Sequence, residues 1–185
     1  MILEIFGVLS SLLYIWLEIK QKKSMWIVGA ISAIVYSVVF GNNKLFASMG
    51  IQLFYIFISI YGWIKWSREK GSEEEVIRRL SLTGLLKSAL FTLALFAILS
   101  YILKSFSEDP FPVSDALLAS LSITASIWLS KKYIEQWYIW MAVNLLSALL
   151  YRYMKLYPTS LLYIIYFSAS VIGFIKWRKF RQVLN

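Results

Sequence analysis

Apolar residues run along this chain in seven long stretches separated by short polar breaks. The stretches cover approximately residues 2–19, 25–40, 45–64, 82–103, 112–130, 136–151 and 157–175. A helix needs about 20 apolar residues to cross the hydrocarbon core of a bilayer, and irregular backbone cannot face lipid. The pattern therefore predicts an all-α membrane protein with seven transmembrane helices.

Composition agrees with this prediction and excludes several classes of protein. Of the 185 residues, 59% are hydrophobic, 17% aromatic and 16% charged, whereas soluble domains average about 45–50% apolar and about 25% charged residues. Cys and His are absent, and no HExxH or GxSxG motif occurs. We therefore expect no disulfides, no metal site and no cofactor, and we expect the protein not to be an enzyme.

The net charge of +9 indicates topology rather than nucleic-acid binding, because Lys and Arg concentrate in the cytoplasmic connections of membrane proteins. With the N-terminus outside, 14 basic residues fall on the cytoplasmic side, and the outside keeps four: Lys44, Lys104, Arg152 and Lys155. We predict an external N-terminus and a cytoplasmic C-terminus. The first stretch has no basic residues before its apolar run, so we expect it to remain as a span rather than to be a cleaved signal.

The chain contains an internal repeat. Residues 26–66 and 137–177 align without a gap at an offset of 111, and both end in G-x-I-K-W. Two three-helix repeats of the same orientation need one extra crossing between them, which the fourth stretch supplies. The sequence thus predicts a 3+1+3 arrangement of parallel repeats, the architecture of the SWEET transporters.

This arrangement divides the chain into four segments. They are a first three-helix repeat (1–66), a cytoplasmic linker (67–80), a crossover helix (81–104) and a second three-helix repeat with a basic tail (105–185). Within the linker, acidic residues 73–75 precede Arg78 and Arg79, an order that favours a short surface helix. A docking or regulatory motif is the alternative interpretation of this segment.

Polar and aromatic side chains share one face of the predicted sixth helix, where positions 137, 140, 144, 147 and 151 recur at steps of three and four. Such a strip is costly against lipid, but its aromatic groups can stack a flat ring and favour positive charge. Together with matching faces on the third, fifth and seventh helices, it predicts a substrate-binding set: Trp137, Trp140, Asn144, Gln52, Tyr55, Tyr163, Tyr166, Ser122 and Ser147. The alternative is helix packing and interfacial anchoring.

The positions of the carboxylates indicate whether transport is coupled to the movement of protons. Glu4, Glu18 and Asp115 lie near the ends of predicted spans, where we expect water to reach them. Ionisable residues inside transmembrane segments commonly mark proton pathways, and no stretch here has an obvious central carboxylate. This distribution favours a passive carrier.

These residues resemble the PnuC family of bacterial vitamin transporters. The most specific element is the W-x-x-W of Trp137 and Trp140, followed by Asn144. The other matching elements are Leu45-Phe46-Ala47-Ser48 with Gln52 and Tyr55, Tyr61-Gly62-Trp63-x-x-Trp66, Phe111-Pro112 with Asp115, Lys131-Lys132-Tyr133-Ile134-Glu135-Gln136, Leu156-Tyr157 and Leu162-Tyr163.

The resemblance implies a 3+1+3 fold, usually a homotrimer, in the bacterial inner membrane. It also implies facilitated uptake of an unphosphorylated, flat cationic vitamin precursor, nicotinamide riboside or thiamine, which a cytoplasmic vitamin kinase then traps by phosphorylation. Trp137, Trp140 and Asn144 match the family's binding motif, and Gln52 and Tyr55 match its third-helix face. Gln136 departs from the Asn expected in the riboside group. A channel-like pore and an accessory membrane subunit are the alternative functions.

Overall fold

The computed structural model of the protein describes residues 2–42, 46–68, 77–107 and 110–179. These ranges hold seven helices: α1 (Ile2–Ile19), α2 (Ser24–Asn42), α3 (Phe46–Arg68), α4 (Leu82–Phe106), α5 (Pro112–Ser130), α6 (Gln136–Tyr153) and α7 (Tyr157–Lys179). Each helix begins within one residue of a predicted apolar stretch. Helices α3 and α7 end four residues later than predicted, because basic residues in a last turn are compatible with the helix dipole.

Four of the helices, α2, α4, α5 and α7, are long and apolar enough to cross a membrane. The apolar part of α1, Ile5–Ile19, is shorter. Helix α6 has 18 residues and includes the buried polar side chains of Gln136, Asn144 and Ser147. The helix number expected from sequence is confirmed, while the crossing of the membrane by all seven stays a prediction.

The chain forms two compact units, Met1–Glu75 and Val76–Asn185, which we call the first and the second unit. In the first unit α1 packs against α2 and α2 against α3; in the second, α4 packs against α5, α5 against α6 and α6 against α7. The Thr92 and Thr124 hydroxyls lie 2.7 Å apart and join α4 to α5. The indole of Trp128 donates to the Ser88 hydroxyl at 3.1 Å across the same seam.

The same Trp–Gly–Trp packing joins the last two helices of each unit. Its rings are perpendicular, with centroids 5.6 Å apart in the first unit and 5.5 Å apart in the second. In both units the first indole lies against a glycine at which a Cβ atom would overlap it. The residues are Trp26, Gly62 and Trp66 in the first unit, and Trp137, Gly173 and Trp177 in the second. The offset of 111 residues therefore applies to this contact geometry as well as to the sequence.

The turns after α1 and α5 also correspond at this offset. Gln21 and Lys132 adopt positive φ angles of 52° and 57°. Lys22 N donates to Leu17 O at 2.9 Å, and Tyr133 N donates to Trp128 O at 3.0 Å. These are the left-handed residues and the long backbone bonds of Schellman motifs, formed here without the usual glycine.

Two expectations are corrected. Residues 77–80 are not helical: Arg78 N donates to Lys132 O at 3.0 Å, and Ile134 N donates to Arg78 O at 3.1 Å. The backbone of Arg78 thus pairs with the α5–α6 turn instead of forming a helical turn, while residues 69–76, including the acidic run, lie outside the described residues. Glu18, expected to be reached by water, is 3% exposed, because its helix turns back at Gln21 and packs against α2.

Candidate functional site

Asn144, on α6, is held in one orientation by α7. Its side chain is 5% exposed, and its Nδ2 donates to Ser170 Oγ at 3.1 Å. The Ser170 hydroxyl itself donates to the carbonyl of Tyr166 at 2.8 Å. Because this hydroxyl has one proton, Ser170 accepts from Asn144, and the amide oxygen Oδ1 points away from Ser170. That oxygen is a hydrogen-bond acceptor on the predicted binding face.

Trp140 lies one helical turn before Asn144 and is half-buried. Its indole Nε1 is buried and has no hydrogen-bond partner among the residues described. A buried indole N–H usually finds an acceptor. The indole Nε1 atoms of Trp26 and Trp137 also lack a described partner, but both rings are buried in helix packing. Because its ring is half-buried, Trp140 is the candidate contact for a ligand.

The first unit lacks this pair. At the offset of 111, Gly29 corresponds to Trp140 and Ala33 to Asn144. A Cβ atom at Gly29 would lie 3.0 Å from the Tyr14 ring and 3.1 Å from Ser59 Oγ. Since Tyr14 already occupies the space beside Gly29, the amide–indole pair belongs to the second unit alone.

Three tyrosines form an aromatic cluster between α6 and α7. Tyr163 stacks on Tyr151, with ring centroids 5.2 Å apart and planes 19° apart. Tyr166 meets Tyr163 edge-on at 5.7 Å and 79°. The structure thus brings together Tyr163 and Tyr166, both predicted from sequence, and connects Tyr166 to Asn144 through Ser170.

Trp137 has a packing role, since it is fully buried between Gly173 and Trp177 and its counterpart Trp26 packs in the same way. The neighbouring Gln136 is also fully buried. Both polar atoms of its amide lack a hydrogen-bond partner within the described ranges. The sequence marked Gln136 only as a departure from the family pattern.

The remaining predicted site residues lie on other parts of the two units. Ser147 is 3% exposed on α6, and the carbonyl of Ser122, on α5, accepts from the Ser126 hydroxyl at 2.8 Å. In the first unit, Gln52 and Tyr55 are half-buried on α3. The Tyr55 ring meets that of Phe54 edge-on at 5.5 Å.

Two cavities of the second unit lie apart from the predicted residues. One, of about 440 Å³, is an apolar groove along α4 and α5 that includes Leu93, Phe96 and Leu121. The other, of about 290 Å³, is lined by Arg79, Ile134, Glu135, Tyr138, Phe174 and Arg178. None of the nine predicted residues lines either cavity.

Comparison with known proteins identifies relatives along almost the whole chain. Residues 1–179 match the model of a family described as nicotinamide mononucleotide transporters. The chain is 28% identical over 201 residues to the nicotinamide riboside transporter PnuC of Escherichia coli K12, covering 95% of this chain and 84% of that protein. It is 27% identical over 174 residues to PnuC of Neisseria mucosa, covering 86% of this chain and 65% of the relative.

A solved structure gives the same assignment. The crystal structure of the vitamin B3 transporter PnuC superimposes with a TM-score of 0.77 at 25% identity, covering 96% of this chain and 81% of that one. The relatives are named as transporters rather than enzymes. By its sequence match, its helices and this structural similarity, the chain belongs to the PnuC family of multi-pass inner-membrane transporters.

Proposed function

We propose that the protein is a passive carrier of an unphosphorylated, flat cationic vitamin precursor, with nicotinamide riboside as the preferred substrate. The observation that carries the proposal is the fixed amide of Asn144 beside the unpartnered indole of Trp140. The names of the relatives favour nicotinamide riboside over thiamine.

The chemistry of these side chains suits a pyridinium carboxamide. Indole and phenol rings attract a cationic ring through their π-faces, and we assign this role to Trp140, Tyr163 and Tyr166. The Oδ1 of Asn144, which points away from Ser170, can accept from the amide group or a hydroxyl of the substrate. The sequence adds Ser122, Ser147, Gln52 and Tyr55 to the proposed set. Trp137 supports the part of the set in the second unit by fixing α6 on α7.

The charges of the proposed set favour a substrate without a phosphate group. None of the nine proposed residues is Lys or Arg, and burying a phosphate without a paired cation is strongly unfavourable. The family description names the mononucleotide, whereas the curated relatives are named for the riboside. The residues favour the riboside, and phosphorylation by a cytoplasmic kinase would then trap it.

We further propose that the helices form a 3+1+3 arrangement of parallel repeats with α4 as the crossover. The matching Trp–Gly–Trp contacts and Schellman turns at the offset of 111 support two related three-helix repeats. The 14-to-4 distribution of basic residues supports an external N-terminus and a cytoplasmic C-terminus.

A homotrimer is part of the same proposal. Leu86, Leu90 and Leu93 of α4 are 58%, 69% and 62% exposed. This exposed apolar surface is available to lipid or to a neighbouring protomer. Crosslinking in native membranes tests the assembly independently of transport.

Uptake into liposomes tests passive transport directly. We expect saturable entry of nicotinamide riboside down its own gradient, unchanged by an uncoupler and by Glu18→Gln, since Glu18 is the buried carboxylate among those described. Uptake that requires a proton gradient would overturn the passive mechanism. Entry that does not saturate would indicate a channel-like pore instead.

A further inference from the structure

The cavity of about 290 Å³ in the second unit combines features that the proposed transport site lacks. It brings together Arg79, which precedes α4, and Arg178, in the last turn of α7. The two guanidinium groups come from positions 99 residues apart in the chain. Both residues therefore line the cavity because of the fold and not because they are neighbours in sequence.

The acidic residue in the lining of this cavity, Glu135, already has a hydrogen-bond partner. Glu135 accepts a hydrogen bond from the backbone N–H of Leu80 through Oε2 at 3.2 Å. This contact and the pairing of Arg78 with the α5–α6 turn fix the segment that carries Arg79. The two arginines and one glutamate leave the lining with an excess of one positive charge.

An aromatic pair forms another wall. The Tyr138 and Phe174 rings lie 4.9 Å apart, at an angle of 47°, and Tyr138 is 55% exposed. Tyrosine side chains concentrate at the membrane–water interface. The cavity also lies at the end of the helices that the distribution of basic residues assigns to the cytoplasm.

We propose that this cavity binds a phosphate group through Arg79 and Arg178. Paired guanidinium groups bind phosphate oxygens with bidentate, charge-assisted hydrogen bonds, and basic pockets between helices on the cytoplasmic side bind anionic lipid head groups. The phosphate belongs to an anionic phospholipid of the inner leaflet or to a soluble phosphate ester. The site is separate from the proposed transport site.

Lipid binding by the purified protein tests the proposal. The whole protein, held in a neutral detergent, is titrated with short-chain phosphatidylglycerol, with short-chain phosphatidylcholine and with inorganic phosphate. The Arg79→Gln, Arg178→Gln double variant should bind the anionic lipid about tenfold or more weakly, because two charge-assisted contacts are lost. Lys104→Gln, Arg152→Gln is the matched control, since these exposed residues are at the opposite end of the same unit.

The outcomes are distinct. Loss of phosphatidylglycerol affinity in the arginine variant but not in the control supports the site and identifies a lipid phosphate as the ligand. Binding of inorganic phosphate that the arginine variant loses, with no preference for phosphatidylglycerol over phosphatidylcholine, supports the site and identifies a soluble ester. Equal loss in both variants would show general surface charge and overturn the proposal. Binding of neither lipid nor phosphate by the unmodified protein, folded by gel filtration and melting, would overturn it as well.

Discussion

Asn144 and Ser170 form a hydrogen bond between α6 and α7 in which the amide is the donor, with Nδ2 and Oγ 3.1 Å apart. Ser170 cannot reverse this polarity while its own proton is on the Tyr166 carbonyl. The hydroxyl therefore determines which amide atom faces the proposed substrate. We therefore predict that Ser170 is a positioning residue that acts through Asn144.

Replacement of Ser170 by Ala should weaken substrate binding without unfolding the protein. The amide of Asn144 would be free to rotate, and loss of one oriented hydrogen bond corresponds to a Kd roughly 3–10-fold higher. Calorimetry measures the change. Ser59→Ala is the matched control, because Ser59 is the buried residue of the first unit that corresponds to Ser170. In that unit Ala33 takes the place of Asn144, so there is no amide for Ser59 to orient. An equal loss in both variants would contradict the positioning role.

Trp140 and Trp137 should differ in what their removal affects. Trp140→Ala should raise the Kd about 30-fold or more, as expected for loss of a central aromatic contact, and should leave the oligomer intact. Trp137→Ala should lower stability by about 3–5 kcal/mol, the range for emptying a buried tryptophan site. Binding and thermal unfolding of each variant separate the two roles. Retained affinity in Trp140→Ala would assign that residue to packing.

The glycines beneath the tryptophans should not tolerate a methyl group. Gly173→Ala and Gly62→Ala force the added Cβ into the rings of Trp137 and Trp26, and such overpacking costs about 1–3 kcal/mol. Gly50→Ala has no atom within 4 Å of the new Cβ, so better helix propensity should leave stability unchanged or slightly higher. Melting temperatures in one detergent compare the three variants. Unchanged stability in Gly173→Ala would contradict the close contact.

The helices could be read from the sequence because lipid imposes long, unbroken apolar runs. All seven helix starts were predicted within one residue. The turns at Gln21 and Lys132 could not be predicted from the sequence, since their positive φ angles occur without glycine. The extended backbone of residues 77–80 could not be predicted either, because it pairs with the α5–α6 turn, more than 50 positions further along the chain.

Side-chain periodicity identified the faces of the candidate site but not the contacts. The repeat offset of 111 residues predicted the correspondence of Trp26 with Trp137, and the structure adds that both pack on glycine. Ser170 shared the rhythm of α7, yet only the geometry showed that it orients Asn144. That Arg79 and Arg178 line one cavity could not be predicted, because the two residues are 99 positions apart in the sequence.

Calorimetric titration of the purified protein with nicotinamide riboside, thiamine and nicotinamide mononucleotide tests the central claim most directly. Trp140, Asn144 and the tyrosine cluster provide aromatic faces and an acceptor without a cation. The titrations use the Arg79→Gln, Arg178→Gln variant, which lacks the proposed phosphate site, and we predict saturable binding of nicotinamide riboside, weaker binding of thiamine and no binding of the mononucleotide. Binding of the mononucleotide as tightly as the riboside, or binding of neither flat cation, would contradict the account.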